Sequence, residues 1–366
     1  MAEKLVSVLG ATGYPGGLIV RELKRRGIPV LAAGRNPGKL QQLAAEVGGV
    51  ETTKANVADR PSLDRLCQRS RVIINTAGPF MDYGEPVVRA AIASSTHYLD
   101  TTGEQPFMKA MLAHDEWARR QQVAVVCAQA FEIAVADCAT AIAVEGFRDI
   151  ARIEVTYITA FHASQGTQRT VVRMFESTGY AWVGGQWIKE RPAKLLRFVD
   201  FPAPIGRIAA VSFPSAEVIT IPRHVSVREV RVFMGLPVVA ARVLSATAPL
   251  VQLAARSPLS RLAARFIGSG TGGPDDATRA QDTFQIAIDV RGTRDGAAHW
   301  RRLLVHGRDP YGLTAVIAAQ AATQMCHGDY ARAGVLPPAT AFNPRTLLDN
   351  LKPCGLTYET QDDDAS

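Results

Sequence analysis

Residues 4–16 read KLVSVLGATGYPG, an apolar run that leads into a short segment with glycine at positions 10, 13 and 16. The run Lys4–Leu9 has the composition of a buried strand, and Leu18–Arg26 has the apolar spacing of an amphipathic helix. Pro15 lies where a helix loses little by lacking an N–H, and Gly27 can adopt the left-handed conformation that ends a helix. The sequence therefore predicts a strand, a glycine bend and a helix in direct succession.

Short β-rich runs alternate with helical patterns as far as residue 128. The further predicted strands are Pro29–Ala33, Val50–Lys54, Arg71–Asn75, His97–Asp100 and Val123–Ala128. The helix after the fourth strand is expected over Pro86–Ser94. Strands joined by helices in this way make right-handed crossovers and build a parallel sheet with helices on both faces. We therefore expect an α/β fold with a Rossmann-type doubly wound parallel sheet, in a first domain over residues 1–130.

The chain after residue 130 has longer β-like runs and fewer regular helices between them. These runs are Arg152–Ala160, Thr283–Val290 and Trp300–His306. They predict a second, α+β domain over residues 131–310, on a mostly antiparallel sheet, for substrate binding or dimerisation. Helices over residues 311–355, interrupted by a turn at residues 334–338, are expected to pack back on the first domain, so that the second domain is an insertion. Residues 356–366 are expected to form an acidic tail.

The glycine bend is the kind of segment that holds a dinucleotide. A diphosphate approaches the backbone only where side chains are absent, and the helix N-terminus beyond the bend supplies N–H groups and a positive dipole. The strand before the bend and the helix after it are the structural context that this motif requires. The predicted ligands of the diphosphate are Gly10, Thr12, Gly13, Tyr14, Pro15 and Gly16.

The end of the second predicted strand distinguishes the two nicotinamide cofactors. A site for NAD usually has an acidic residue here, which accepts hydrogen bonds from the ribose hydroxyls. This chain has Arg35 and then Lys39, and no acidic residue occurs before Glu46. A guanidinium binds a 2′-phosphate through forked, charge-assisted contacts. We therefore expect NADP(H), with NAD(H) as the less favoured alternative and a solvated loop arginine as the alternative role of Arg35.

Two later strand ends are expected to contribute to the same site. The turn after the fourth strand passes beside the phosphates and the nicotinamide ribose in folds of this kind. Its candidate residues are Thr76, Ala77, Gly78, Pro79 and Tyr83. Asn56 follows the third strand and is the candidate nearest the adenine.

Groups that take part in the chemistry are expected beyond the carboxyl ends of the strands. Tyr98 and Asp100 lie at the end of the fifth strand, Glu104 follows it, and Glu132 follows the sixth. His162 is a further candidate, in the second domain. Hydride transfer needs a positioned nicotinamide and at most one proton donor. Four of the five candidates also have a structural explanation: core packing for Tyr98, a cap for Asp100, solvation for Glu104 and an ordinary histidine for His162.

Composition and missing motifs exclude several classes of protein. The five cysteines have no regular spacing, so the sequence supports neither a disulfide framework nor a zinc site, and we expect no metal. The net charge of +7 is spread along the chain, which argues against a nucleic-acid partner. No tyrosine is followed by lysine four positions later, and no Gly-x-Ser-x-Gly, His-Glu-x-x-His or P-loop motif occurs.

The chain is expected to be cytoplasmic, because it enters its first strand without a signal-peptide pattern and has no apolar run of about 20 residues. The stretch 236–267 is rich in Leu, Val and Ala, and Pro249 and Pro258 are expected to break it into short helices. Its basic residues are Arg242, Arg256, Arg261 and Arg265. Peripheral membrane contact is one interpretation of this stretch, and packing on the domain or a partner subunit is the other. We also expect a homodimer.

Several segments together resemble the saccharopine dehydrogenase-like oxidoreductases, a family that includes trans-acting enoyl reductases. The segments run in family order: GATGY at 10–14, GPFMDYGEPVV at 78–88, THYLDTTGE at 96–104, DPYGLTA at 309–315 and GVLPPATAF at 334–342. The resemblance implies a Rossmann domain followed by an α+β substrate domain. It also implies NAD(P)-dependent redox chemistry, usually on a C=N or C=C bond.

One segment departs from the family pattern. Many relatives have Gly-Phe-Asp-x-x-Pro-x-Asp after the sixth strand, whereas residues 130–137 read AFEIAVAD and lack the glycine and the proline. The leading hypothesis is an NADPH-dependent reductase acting on a C=C or C=N bond of a hydrophobic or carrier-bound small molecule. One alternative is a saccharopine-type imine reductase, which would bind substrate carboxylates through Arg169, Arg173 and Arg191. The other is a non-catalytic protein that binds or senses NADP(H).

Overall fold

The computed structural model describes residues 5–160, 162–164, 166–168, 174, 178–255 and 272–363. The chain divides into two units. The first unit consists of Met1–Val135, Thr271–Gly273 and Asp309–Leu347, and the second of Ala136–Gly270, Pro274–Arg308 and Leu348–Ser366. Most of the second unit is thus inserted between two parts of the first.

Strands and helices alternate regularly in the first third of the chain. In chain order the elements are β1 (Leu5–Leu9), α1 (Tyr14–Arg25), β2 (Val30–Gly34), α2 (Pro37–Glu46), β3 (Glu51–Lys54), α3 (Arg60–Gln68), β4 (Ser70–Asn75), α4 (Phe80–Ala93), β5 (His97–Asp100), α5 (Gln105–Met111), α6 (Asp115–Arg120) and β6 (Ala124–Val126). Every strand predicted in this region is present, with small shifts at the ends.

The rest of the chain has longer strands and fewer helices. The elements are α7 (Ile133–Ala143), β7 (Ile150–Ala160), β8 (Gly179–Val183), β9 (Gln186–Glu190), β10 (Leu196–Asp200), β11 (Arg207–Ser212), α8 (Glu217–Thr220), β12 (Val227–Leu236), α9 (Val238–Ala255), α10 (Asp276–Gln281), β13 (Thr283–Arg294), β14 (Ala297–Arg308), α11 (Pro310–Cys326), β15 (Gly334–Val335), α12 (Pro338–Ala341), α13 (Pro344–Asp349) and β16 (Thr357–Asp363).

The sheet of the first unit is parallel, with the strand order β15-β6-β5-β4-β1-β2-β3. The chain leaves β1 in one direction to build β2 and β3, and returns to the other side of β1 for β4, β5 and β6. Leu9 pairs with Ala33 on one side and Asn75 on the other, so the carboxyl ends of these three strands are level. This confirms the predicted Rossmann-type doubly wound sheet, with its switch point between β1 and β4.

Helix α1 shows how the apolar spacing of the sequence becomes packing. Ile19, Val20 and Leu23 lie on one side of the helix and are fully buried. Burial of side chains of this size stabilises the fold by about 2 kcal/mol each. Helix α11 also packs against α1 and β4, so the C-terminal part of the first unit contributes to the same core.

Two local predictions in the first unit were wrong. Helix α4 begins at Phe80 rather than at Pro86, which lies inside the helix, because a carboxylate described below caps the earlier start. Gly334 and Val335 form a short strand beside β6 rather than a turn. The carboxylate of Asp115 accepts the N–H of Val335 at 2.7 Å and fixes this edge strand in place.

In the residues that the structure describes, the second unit is built on a mixed sheet of nine strands. The main order is β10-β11-β12-β7-β13-β14-β16, and β8 pairs with both β12 and β9. Only the pair β12–β7 is parallel among the described strands of this sheet. The prediction of an α+β unit on a mostly antiparallel sheet is therefore confirmed.

The predicted acidic tail at residues 356–366 is instead largely a strand, because β16 pairs with β14 along its length. Asp362 accepts hydrogen bonds from Nε of Arg301 at 2.5 Å and from Nη2 at 3.2 Å. Since Arg301 is nearly buried, the acidic residue satisfies a guanidinium that would otherwise be costly to bury. The composition of the sequence alone does not predict this long-range pairing.

Helix α9 continues through Pro249, contrary to the predicted break. Ala241 and Ala248 on this helix are buried against β11, and this packing outweighs the hydrogen bond lost at the proline. On the opposite side Val239 is 75% and Val243 56% exposed. Pro258 and the later residues of the predicted membrane-contact stretch, up to residue 267, lie outside the described residues. Among the helices that the structure describes, none has the length and apolarity that crossing a bilayer requires.

Candidate functional site

The glycine bend joins the carboxyl end of β1 to the start of α1. Gly10 has φ of +87°, and its N–H and that of Ala11 donate to the Ala33 carbonyl at 3.0 and 3.1 Å. The N–H of Gly13 donates to the Gly10 carbonyl at 2.8 Å and closes the turn. The bend is therefore fixed against β2 by its own backbone, without side chains.

Close packing explains why glycine is required in this bend. A Cβ placed on Gly10 would lie 2.7 Å from Oγ1 of Thr76, and one on Gly16 would overlap the Gly10 carbonyl. Thr76 is held in turn by its hydroxyl, which donates to the Leu9 carbonyl at 3.0 Å. Thr76, which was predicted to contribute to the site, thus supports the bend from the β4 side.

Helix α1 points its N-terminus at the bend. The helix begins at Tyr14, and Gly13 at its N-cap makes no side-chain capping hydrogen bond. The positive end of the helix dipole is therefore not offset by a capping side chain. A glycine-containing bend in front of a helix N-terminus can hold a diphosphate.

Arg35 lies just past β2 and is exposed, as is Lys39. The side chain of Asn36 between them accepts the N–H of Lys39 at 3.1 Å and caps α2, a role that the sequence analysis did not assign. In the described part of the chain no acidic side chain forms an ion pair with Arg35. Its guanidinium is therefore available for a phosphate at the end of β2, where a dinucleotide places its adenosine ribose.

Asn56 shapes the loop after β3. Its side-chain oxygen accepts the N–H of Ala58 at 3.2 Å, and its own N–H donates to Oγ of Ser62 at 3.0 Å. These contacts show that Asn56 stabilises the turn after β3. Its proximity to an adenine stays a prediction.

The turn after β4 is set by two polar side chains. Oδ1 of Asn75 accepts the N–H of Ala77 at 3.0 Å, and Glu104 accepts the N–H groups of Phe80 and Met81, both at 2.9 Å. Gly78 and Pro79, joined by a cis peptide bond, lie between these contacts. Tyr83 follows on the first turn of α4 and is 42% exposed.

Tyr98 and Asp100 lie together under this edge of the sheet, and both are fully buried. The Tyr98 hydroxyl accepts a hydrogen bond from Nδ2 of Asn75 at 3.2 Å. Oδ1 of Asp100 accepts the N–H groups of Ala128 and Thr102 at 2.8 and 3.1 Å. Burial raises the pKa of the Tyr98 hydroxyl well above its usual value. These contacts make both residues part of the support of the site, and a direct role in chemistry stays a prediction.

The remaining predicted groups are not all in one place. Glu132 is partly exposed, and its carboxylate lies beside Gly103 in the first unit. His162 belongs to the second unit, where its Nδ1 lies 2.8 Å from the carboxylate of Asp282 and its side chain is 71% exposed. Arg191 is also in the second unit. Arg169 and Arg173 lie outside the described residues.

The segment that starts α11 contributes residues that sequence reasoning did not place at the site. Tyr311 packs edge-on against Tyr14 with 5.0 Å between ring centroids, directly beside the start of α1. Asp309 caps α11 by accepting the N–H of Gly312 at 2.9 Å. Oγ1 of Thr314 accepts the N–H of Phe131, after β6, at 3.1 Å. An aspartate followed by proline was the available signal for a helix start, but it carries no information about what the helix packs on.

The N-terminal part of the first unit is similar to a known protein family. Residues 6–131 match the family described as saccharopine dehydrogenase NADP binding domain. Over these residues the first unit is similar to a saccharopine dehydrogenase-type NADP-binding domain. This confirms the resemblance stated from the sequence and the prediction of NADP(H) as the cofactor.

Relatives of the NADP-binding domain are named as oxidoreductases. A probable mitochondrial saccharopine dehydrogenase-like oxidoreductase of Arabidopsis thaliana is 39% identical over 122 residues, which are 29% of this chain and 27% of that protein. A saccharopine dehydrogenase-like oxidoreductase of Mus musculus is 32% identical over 152 residues, 36% of this chain and 35% of that protein. A trans-acting enoyl reductase of Mycobacterium ulcerans is 31% identical over 110 residues, 28% of this chain and 26% of that protein. Each match thus spans about a third or less of the relative.

A solved structure shares the fold beyond the NADP-binding domain. Apo saccharopine dehydrogenase (L-Glu forming) from Saccharomyces cerevisiae matches with a TM-score of 0.67 and 12% identity, over 98% of this chain and 100% of that one. At this identity the similarity establishes the architecture of the chain and not its substrate.

We expect the stability of the NADP-binding domain to depend on the protonation of Asp100. Burial raises the pKa of this carboxyl from 3.8 to about 6, although the N–H groups of Ala128 and Thr102 favour its ionised form. A raised pKa means that the folded chain binds the proton more tightly than the unfolded chain. The free-energy cost of ionising Asp100 in the folded chain is therefore absent below about pH 4 and fully present above about pH 6. A shift of about two pKa units corresponds to a cost of at most about 3 kcal/mol.

The substitution Asp100→Asn removes this ionisation and keeps an oxygen to accept the two N–H groups. The free energy of unfolding of the variant minus that of the wild type should rise between pH 4 and pH 6. Denaturant titrations at several pH values measure this difference. A difference that stays constant across that range would contradict the assignment.

Proposed function

We propose that the chain is an NADPH-dependent reductase that acts on a C=C or C=N bond of a hydrophobic or carrier-bound small molecule. The proposal rests on the glycine bend, which Thr76 supports, and on Arg35 at the end of β2. Arg35 is exposed and has no acidic partner among the described residues. The bend fits a diphosphate and the guanidinium fits a 2′-phosphate. The name of the Mycobacterium ulcerans relative, trans-acting enoyl reductase, favours a C=C bond in a carrier-bound acyl chain.

NADPH supplies the hydride when it is bound, so the residues of this chain have to orient the cofactor and the substrate. The bend and α1 hold the diphosphate, and the turn after β4 borders the half of the sheet that receives the nicotinamide. On the first turn of α4, Met81 is 50% and Tyr83 42% exposed. Two large, partly apolar side chains beside that half suit a hydrophobic substrate.

Oxidation of NADPH, followed by the loss of its near-ultraviolet absorbance, tests the proposal. The substrates to compare are a trans-2-enoyl thioester, a long-chain version of it, and an amino acid mixed with a 2-oxo acid or an aldehyde. We expect turnover with the enoyl thioesters, and faster turnover with the longer chain. Turnover only with the mixture of amino acid and carbonyl compound would mean that the chain reduces a C=N bond and not a C=C bond. Tight NADPH binding without turnover on either class would favour a non-catalytic NADP(H)-binding protein.

A saccharopine-type imine reductase is the second candidate, because the architecture of the whole chain matches the yeast saccharopine dehydrogenase. Such an enzyme requires cationic groups for the substrate carboxylates. Arg191 is partly buried in the second unit, and its Nη1 lies 3.4 and 3.5 Å from the carbonyls of Pro192 and Ala193. The substitution Arg191→Ala separates the candidates, since only an imine reductase that uses this group would show a raised KM for the amino acid.

We further propose that the protein is cytoplasmic and acts as a homodimer. Size-exclusion chromatography with light scattering measures the mass in solution directly. A single species of about 39.4 kDa, the mass of one chain, would contradict the dimer.

A further inference from the structure

Three loops at the carboxyl edge of the first sheet are joined by two buried carboxylates. The loops follow β4, β5 and β6, which are neighbours in the sheet on one side of the switch point. In a doubly wound fold, the half of the dinucleotide that lies over these strands is the nicotinamide half, because the adenosine half lies over β1, β2 and β3.

Glu104 joins the loop after β5 to the start of α4. It is 5% exposed, and its two carboxylate oxygens accept the N–H groups of Phe80 and Met81, both at 2.9 Å. Pro79 at the N-cap of α4 makes no capping hydrogen bond of its own, so Glu104 provides the cap from another loop. The backbone N–H of Glu104 donates to Oγ1 of Thr102 at 3.0 Å, which restrains the backbone at Glu104.

Asp100 joins the loop after β5 to the loop after β6. Its side chain accepts N–H groups from Thr102 and Ala128, and its backbone carbonyl accepts the N–H of Gln129 at 2.7 Å. Thr102 is thus hydrogen-bonded to the carboxylate of Asp100 through its own N–H and to the backbone N–H of Glu104 through its hydroxyl. Movement of any one of the three loops would break hydrogen bonds to another.

Two of the helices that start at this edge, α1 and α4, differ in their electrostatics. The N-terminus of α1 has a glycine N-cap without a capping side chain, whereas the N-terminus of α4 is already occupied by the negative charge of Glu104. An occupied helix N-terminus is a poor site for a second anion. The half of the edge beside α4 is therefore suited to an uncharged ring, and the half beside α1 to phosphate.

We propose that Glu104, together with Asp100, is a positioning residue that holds the three loops in the arrangement that binds the nicotinamide half of NADP(H). This inference rests on the proposed function, since it concerns the same cofactor. In this role the two carboxylates act by accepting hydrogen bonds from backbone N–H groups, and they do not contact the substrate.

Calorimetric titration with two ligands tests the inference. NADPH reports on the whole site, and adenosine 2′,5′-bisphosphate reports on the adenosine half alone. For Glu104→Ala we expect about a tenfold loss of NADPH affinity, because a small displacement of a bound ring has a large effect. Affinity for adenosine 2′,5′-bisphosphate should stay within about twofold of the wild type, and Glu104→Gln, which keeps one acceptor, should be intermediate.

A matched control is available in Asp115, whose carboxylate also accepts a backbone N–H in the same unit, that of Val335 at 2.7 Å. Asp115→Ala should lower the melting temperature as Glu104→Ala does, without changing NADPH affinity. Equal losses for both ligands in Glu104→Ala, or no loss for either, would overturn the inference. A wild-type chain that binds neither ligand would overturn the proposed function itself, so the two failures are distinguishable.

Discussion

The substitution Gly10→Ala is expected to lower NADPH affinity by about 100-fold. Gly10 has φ of +87°, and an added Cβ would lie 2.7 Å from Oγ1 of Thr76 and 3.0 Å from the backbone N of Ala77. The backbone contact prevents relief by a side-chain rotation, so the bend itself has to move. A displacement of about 1 Å at a site that holds a diphosphate through backbone groups is enough for a loss of this size.

A second glycine separates this effect from the general cost of a side chain at positive φ. Gly48 has φ of +74° and nothing within 4 Å of the position that a Cβ would take. Gly48→Ala should therefore lose only about 1 kcal/mol of stability, which is the cost of the left-handed conformation, and bind NADPH like the wild type. The two variants are compared by calorimetry after their melting temperatures are recorded. Equal affinities for the cofactor in both variants would refute the role of the bend.

The substitution Arg35→Glu is expected to affect the two nicotinamide cofactors very differently. It removes charge-assisted hydrogen bonds to the 2′-phosphate and adds a like charge, and each of these bonds is worth about 1.5–3 kcal/mol. NADPH affinity should fall by about 100-fold or more, whereas NADH affinity should change by less than about threefold. A glutamate at this strand end can even accept hydrogen bonds from the free ribose hydroxyls of NADH.

Arg120→Glu makes the same change of charge elsewhere in the first unit. Arg120 is exposed on α6 and pairs with Glu116 at 2.8 Å. Because a single exposed pair contributes little to stability, this variant should remain folded and bind both cofactors normally. Equal losses for NADPH and NADH in Arg35→Glu would mean that the guanidinium does not contact the 2′-phosphate.

The features of the first unit that were predictable from the sequence are those with local causes. The run Leu5–Leu9, the bend and the apolar spacing of α1 are neighbours in the chain, and each restricts the conformation of the next. Arg35 could be singled out because the position that follows the second strand is fixed by the same alternation. The fold class and the cofactor were therefore within reach of sequence reasoning.

The features that were not predictable depend on contacts between distant residues. Glu104 was a candidate for the chemistry with solvation as the structural alternative, yet it is buried and caps a helix that starts 24 residues earlier in the chain. That cap also explains why α4 extends beyond the predicted start at Pro86. In the same way, the predicted acidic tail is largely a strand because it pairs with β14, and its Asp362 forms an ion pair with Arg301, which is 61 residues away in the chain. Neither the hydrophobic periodicity of the sequence nor the local conformational preferences of its residues predict such pairings.

Calorimetric titration of the wild-type chain with NADPH and with NADH tests most directly whether the bend and Arg35 form an NADP(H) site. We predict saturable binding of NADPH and an affinity for NADH at least about tenfold lower, as the loss of one charge-assisted contact would give. No heat with either nucleotide, or tighter binding of NADH than of NADPH, would contradict the assignment.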